Sequence, residues 1–183
     1  FYPWVLTGIV FIIGFVLSFF RYPTNDETLF LFETMIIHER ISDFQLFGND
    51  SVGAHGFLSK FIVALIFLVT DPNIWVATIF NVVLASVCAY ILYYIAKHFV
   101  KHSFFSFLAV LLTVLSYYYI AVLPKFLRDI PVMLALLLLM YAVIKHKPYW
   151  LLGILFLFVL DAKEYIAVIL TPVILLWIPV SEY

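Results

Sequence analysis

The chain reads as an all-α protein that crosses a membrane several times, and three observations predict it. Residues of the AVILMFWYC set fill 66% of its 183 positions, and the mean hydropathy is +1.15. Charged residues make up 11% while Phe alone numbers 20. No water-soluble fold hides that much apolar surface, whereas a helical bundle in lipid has no need to. Finally, apolar runs recur at 4–20, 57–69, 74–96, 104–123, 130–144, 149–160 and 165–180, with polar stretches between them.

A spanning helix needs roughly 20 residues, with about 17 tolerated. The runs at 4–20, 74–96 and 104–123 meet that length. The first is too long and too aromatic for the core of a signal peptide, and no small-residue cleavage pattern follows, so it reads as an uncleaved span. The run at 130–144 reaches spanning length when its helix starts near Lys125, which draws Arg128 and Asp129 to the membrane edge. The runs at 149–160 and 165–180 form a hairpin through Asp161-Ala-Lys-Glu164. Both are short, which suggests a thinned or water-filled region on that side.

The run at 57–69 decides the topology. It carries Lys60 and is bracketed by Gly53, Gly56 and the Asp71-Pro72 turn, which favours a re-entrant or interfacial helix over a span. Residues 21–73 then form one long outer loop, and six spans follow at about 4–20, 74–96, 104–123, 128–144, 149–160 and 165–180. The loops Lys97-His-Phe-Val-Lys-His102 and Lys145-His-Lys147 share the opposite side. They are purely basic, as the positive-inside rule expects of cytoplasmic segments. All but Glu182 of the eleven acidic residues fall outside in this arrangement. Arg21, Arg40, Lys60, Lys125, Arg128 and Lys163 also fall outside, interleaved with those acids as site residues would be. Tyr90, Tyr93 and Tyr94 near one face, and Tyr117, Tyr118 and Tyr119 near the other, suit interfacial aromatic belts. The whole chain forms a single transmembrane domain, and its start at Phe1 and stop just after an apolar run suggest the N-terminal part of a longer protein.

The net charge of −1 argues against a nucleic-acid role resting on a basic surface. Cys88, the single cysteine, lies within an apolar run and excludes an intrachain disulfide and a cysteine metal site. His98, His102 and His146 face headgroups, and Asn49-Asp-Ser51 has the form of a glycosylation acceptor in the outer loop.

Charged clusters are costly at a membrane edge and mark polar sites by default. The outer loop opens with Thr24-Asn-Asp-Glu27 and continues to Arg40 with helical spacing. Leu29, Phe32, Ile36 and Ile37 share a face suited to lying on the membrane, with Glu33 and Arg40 on a more polar side. Thr24 and Glu27 form a capping box, which leaves Asp26 free to point elsewhere. Arg128 and Asp129 read equally as a juxtamembrane ion pair or as part of a phosphate site, and Lys163 between Asp161 and Glu164 reads as a solvated turn or a phosphate ligand. His55 suits an interfacial hydrogen-bonding role.

An acidic pair just after the first span resembles the signature of the GT-C-fold glycosyltransferases that use polyprenyl-phosphate sugars, among them the protein O-mannosyltransferases and the lipid A aminoarabinose transferase. The resemblance runs through nearly the whole chain. Ala54-His-Gly-Phe-Leu58 stands where that family has a His-Pro-Pro-Leu-like stretch, here without the prolines. Phe67-x-x-Thr-Asp-Pro-x-x-Trp75 follows, then Arg128-Asp-Ile-Pro131, then a Gly153 to Lys163 helix end in which Asp161-Ala replaces the family's small residue and Thr.

The resemblance implies an all-α GT-C-like fold with interfacial helices in a long first extracytoplasmic loop, and an inverting transfer of sugar from a polyprenyl-phosphate donor to an extracytoplasmic protein, lipid or glycan acceptor. It sets the protein in a bacterial or archaeal plasma membrane or in the endoplasmic reticulum. Within it, Asp26 is expected to take the acceptor's proton with Glu27 assisting or only capping, while Arg128 and Lys163 bind the lipid phosphate. His55, Asp129, Lys125 and Asp161 are further candidates for the substrate site. Some members of the fold bind a divalent ion; the spacing of Asp26, Glu33 and His38 matches no compact metal motif, so no metal site is assigned. Two readings compete: a transporter or flippase for a lipid-linked glycan, in which the outer charges line a path, and a non-catalytic membrane subunit in which they pair structurally. A transporter predicts broken helices or internal symmetry.

Overall fold

The structure is a computed structural model, which describes residues 1–43, 57–127, 129–163 and 166. It is all-helical: α1 (Tyr2–Phe19), α2 (Asn25–Ser42), α3 (Phe57–Phe67), α4 (Ile74–Val100), α5 (Ser103–Val114), α6 (Tyr117–Val122), α7 (Asp129–Ile144) and α8 (Tyr149–Ala162). Helices α1 and α4 are each long and apolar enough to cross a membrane. The apolar run at 165–180 lies outside the described residues.

Helix α4 is the axis of the bundle. It packs against α1, α5 and α7, and α7 packs in turn on α8. Its inward positions are small, with Ala77, Ala85 and Ala89 fully buried, so neighbouring backbones approach closely. Helix α1 buries the stripe Leu6, Val10, Gly14 and Ser18 at a four-residue repeat. At Gly14 the approach is tightest: a Cβ there would stand 2.9 Å from Val82 Cγ1 and 3.0 Å from Leu123 Cγ. The opposite side of α1, with Trp4, Ile12, Phe15 and Phe19, is exposed, as a lipid-facing surface should be. Asn73 caps α4 by accepting from the Trp75 amide at 2.9 Å, and the helix ends at Lys101, whose φ of 59° turns the chain sharply into α5.

The apolar run at 104–123, read as one continuous helix, is broken. Helix α5 stops at Val114, and the Ser116 hydroxyl caps a new helix by accepting from the Tyr119 amide at 3.4 Å. Short side-chain hydroxyls offer the backbone this alternative to an unbroken ladder. Tyr119 then turns inward and donates from Oη to the Ala85 carbonyl of α4 at 2.8 Å.

Helix α3 has 11 residues and packs against α2 and α8. At 1.5 Å per residue it is about 16 Å long, well short of a ~30 Å hydrocarbon core. Its pairing with α2 corrects one expected face. Phe30, Thr34 and Ile37 are buried, whereas Leu29 and Phe32 are exposed. Ile37 lies two turns from Phe30 and so joins the packed stripe rather than the membrane-facing one. Between the helices Lys60, fully buried, donates to Glu33 Oε2 at 2.8 Å and sits 5.1 Å from the centre of the Phe30 ring.

Candidate active site

The charged clusters converge at one end of the bundle. Arg21 just after α1, the first turns of α2, α3 and α7, the second turn of α4 and the end of α8 are tied there by side-chain hydrogen bonds. The basic loops after α4 and α7 lie at the opposite ends of those helices.

Glu27 is the hub. The expected capping box is present: Glu27 Oε2 accepts from the Thr24 amide at 2.9 Å and from Thr24 Oγ1 at 3.1 Å. The carboxylate does more than cap. Arg21, at the end of α1, donates from Nη1 to Oε2 at 2.6 Å, with Nη2 2.6 Å from Oε1. The Phe126 amide donates to Oε1 at 2.8 Å, and Arg21 Nη2 also reaches Thr78 Oγ1 of α4 at 3.1 Å. Burial pushes the Glu27 carboxyl pKa up, but the Arg21 guanidinium and the Thr24 and Phe126 amides outweigh it and hold it below the usual carboxylate range. Glu27 is thus surrounded by donors and closed to solvent. Asp26, the next residue back, is exposed. The pair thus divides into one buried carboxylate bonded across the fold and one exposed carboxylate.

On the far side, Lys163 at the end of α8 donates to Asp129 Oδ1 at 2.6 Å. Asp161 accepts at Oδ2 from the Leu58 amide at 3.0 Å, so it caps the first turn of α3. Lys125 is half-buried, and its backbone carbonyl accepts from Asn81 Nδ2 at 2.8 Å. An apolar groove of about 200 Å³ runs between α3, α4, α7 and α8, lined by Ile62, Leu84, Leu134, Leu138 and Phe158, with Asp161 as its polar end. His55 and Arg128 lie outside the described residues. Of the remaining expected site residues, Asp129, Lys163 and Asp161 come together across α3, α7 and α8, and Glu27 joins the segment that leads to Asp129.

Glu33 is taken up by Lys60, and His38 Nδ1 lies 3.3 Å from the Ala64 carbonyl. Among the described residues no three His, Cys, Asp or Glu side chains are grouped for a metal ion. Sequence reasoning passed over Asn81, a fully buried amide within α4. The signal was available, because an amide side chain inside an apolar run is costly to bury.

An all-helical membrane protein with its charged groups gathered at one bundle end, beside an apolar groove, fits a membrane glycosyltransferase of the GT-C type. A family comparison makes the assignment: the model for the dolichyl-phosphate-mannose-protein mannosyltransferase family matches residues 54–182. The chain belongs to that family. The match takes in Lys125, Asp129, Asp161 and Lys163 and leaves Asp26 and Glu27 before its start. No curated protein and no solved structure matches the chain.

Proposed function

We propose that this chain carries the reaction centre of an inverting transferase that moves a sugar, mannose by the family's description, from a polyprenyl-phosphate carrier to an extracytoplasmic acceptor. The observation that carries this reading is the meeting of three features at one bundle end. Lys163 lies on Asp129, the apolar groove ends at Asp161, and the open carboxylate Asp26 adjoins a hub that reaches the same segment.

The isoprenoid chain occupies the groove, and its phosphate meets Lys163, with Arg128 as the second cation. Lysine carries three donor hydrogens, so Lys163 can serve Asp129 and a phosphate oxygen together. The acceptor's hydroxyl or amine attacks the anomeric carbon from the face opposite the phosphate. A new bond from that carbon to the acceptor forms, the carbon–oxygen bond to phosphate breaks, and the electron pair leaves on the phosphate, whose charge the cations stabilise. Asp26 takes the acceptor's proton. The basic loops at the other bundle end support an extracytoplasmic centre, as the positive-inside rule expects.

The test is sugar transfer by the purified protein in lipid nanodiscs from polyprenyl-phosphate mannose. Asp26→Asn keeps size and polarity but loses the proton acceptor, so turnover should fall by about 10²-fold or more while donor binding persists. Full activity in Asp26→Asn would remove the acidic pair from the chemistry.

A further inference from the structure

We propose that Asn81 is a positioning residue for the donor-phosphate side of the site, acting through the backbone of the 124–127 turn. This rests on the transferase reading above and adds to it a buried residue of α4.

Between α6 and α7 the chain leaves helical geometry within an apolar protein. Carbonyls freed in this way need donors, because lipid supplies none. Asn81 provides them: its Nδ2 donates to the Lys125 carbonyl at 2.8 Å and to the Leu127 carbonyl at 2.9 Å. Glu27 holds the same turn from the other side through the Phe126 amide at 2.8 Å. The Phe126 ring is fully buried and packs edge-on to Phe30 at 5.0 Å, which leaves the turn little room to rotate. Two residues after Leu127 the chain reaches Asp129, the first residue of α7 and the partner of Lys163. Both amide hydrogens of Asn81 thus set where Asp129 meets the α8 cation.

A second observation separates this role from plain packing. Asn81 is fully buried, yet among the described residues its Oδ1 has no hydrogen-bond partner. Such an orphaned acceptor lowers stability, and an apolar side chain with an ordinary helical connection would avoid it. Asparagine fits where one nitrogen must give two hydrogens to two carbonyls. Aspartate offers none when ionised, and serine offers one.

The experiment compares Asn81→Leu with Asn81→Ser and with Ser86→Ala. Ser86 is buried one turn and a half further along α4 and donates only to Val82 within its own helix. The primary measurement needs no turnover: the rate at which an amine-reactive reagent modifies Lys163, followed by peptide mass spectrometry of the intact protein in detergent. Loss of the clamp should loosen the Asp129 pairing and raise that rate by about tenfold in Asn81→Leu, and less in Asn81→Ser, the scale of one net hydrogen bond. Ser86→Ala should leave it unchanged. With polyprenyl-phosphate mannose, Asn81→Leu should raise the donor KM by a similar factor with a smaller change in kcat. Lys163 reactivity in the Asn81 variants equal to that in Ser86→Ala overturns the proposal. If Asn81→Leu does not fold, Asn81→Ser decides by the same comparison. A wild-type protein inert with the donor would count against the transferase reading alone, since the Lys163 measurement stands without it.

Discussion

At position 27 a carboxylate that has left water is kept charged by one guanidinium, one hydroxyl and two backbone amides. Its folded pKa is lowered, so its contribution to stability is present above the ordinary carboxylate pKa and is lost as pH falls through the folded value. The melting temperature in detergent should therefore drop as the pH is taken below about 4, and Glu27→Gln should flatten that dependence. At neutral pH the same substitution leaves Arg21 without its charge partner and should cost about 3 kcal/mol, measured by denaturation. Lys163 belongs to the other class of residue. Lys163→Ala should weaken donor binding about ten- to a hundredfold, read by titration with polyprenyl phosphate, with less effect on melting because both it and Asp129 are partly exposed. The capping role of Glu27 was legible from Thr24-x-x-Glu27, since that box is a local pattern. Its bond to Phe126 was not, because the partner is a backbone amide 99 residues away and no side chain announces it.

The helices divide in the same way between what hydropathy reveals and what it misses. The runs at 4–20 and 74–96 became α1 and α4 because length and apolarity alone specify them. The short α3 was legible too, since 11 residues between turn signals cannot span. The break between α5 and α6 was hidden: hydropathy sums side chains, whereas the Ser116 hydroxyl acts on the backbone. Asp161 is a further case of a side chain acting on a helix end. Read in the sequence as a candidate substrate residue, it caps α3 from α8. Asp161→Ala should lower stability by about 0.5–2 kcal/mol, while Asp161→Asn, which keeps an acceptor, should cost little. A loss of donor binding in Asp161→Ala at unchanged melting temperature would show a substrate role beside the cap.

Across the whole molecule the charged segments share one bundle end, as their alternation with basic loops along the chain suggested. Cysteine labelling in a Cys88→Ala background should find Asp26→Cys and Lys163→Cys reactive from one side of the membrane, and Lys101→Cys and Lys147→Cys from the other. Labelling of positions 26 and 163 from opposite faces would undo that arrangement. The clamp on the 124–127 turn was beyond sequence reading, since it joins three segments through backbone atoms. That clamp also has a history in time. A ribosome adding roughly 5–20 residues per second makes Phe126 some 5–20 seconds after Glu27. Throughout that wait the nascent chain holds a carboxylate beside the membrane with one of its four final donors unmade. Arg21, six residues earlier, is already there to escort it. The Arg21–Glu27 pair is thus an early companion as well as a late support, and its loss should show first as poor yield of inserted protein during synthesis.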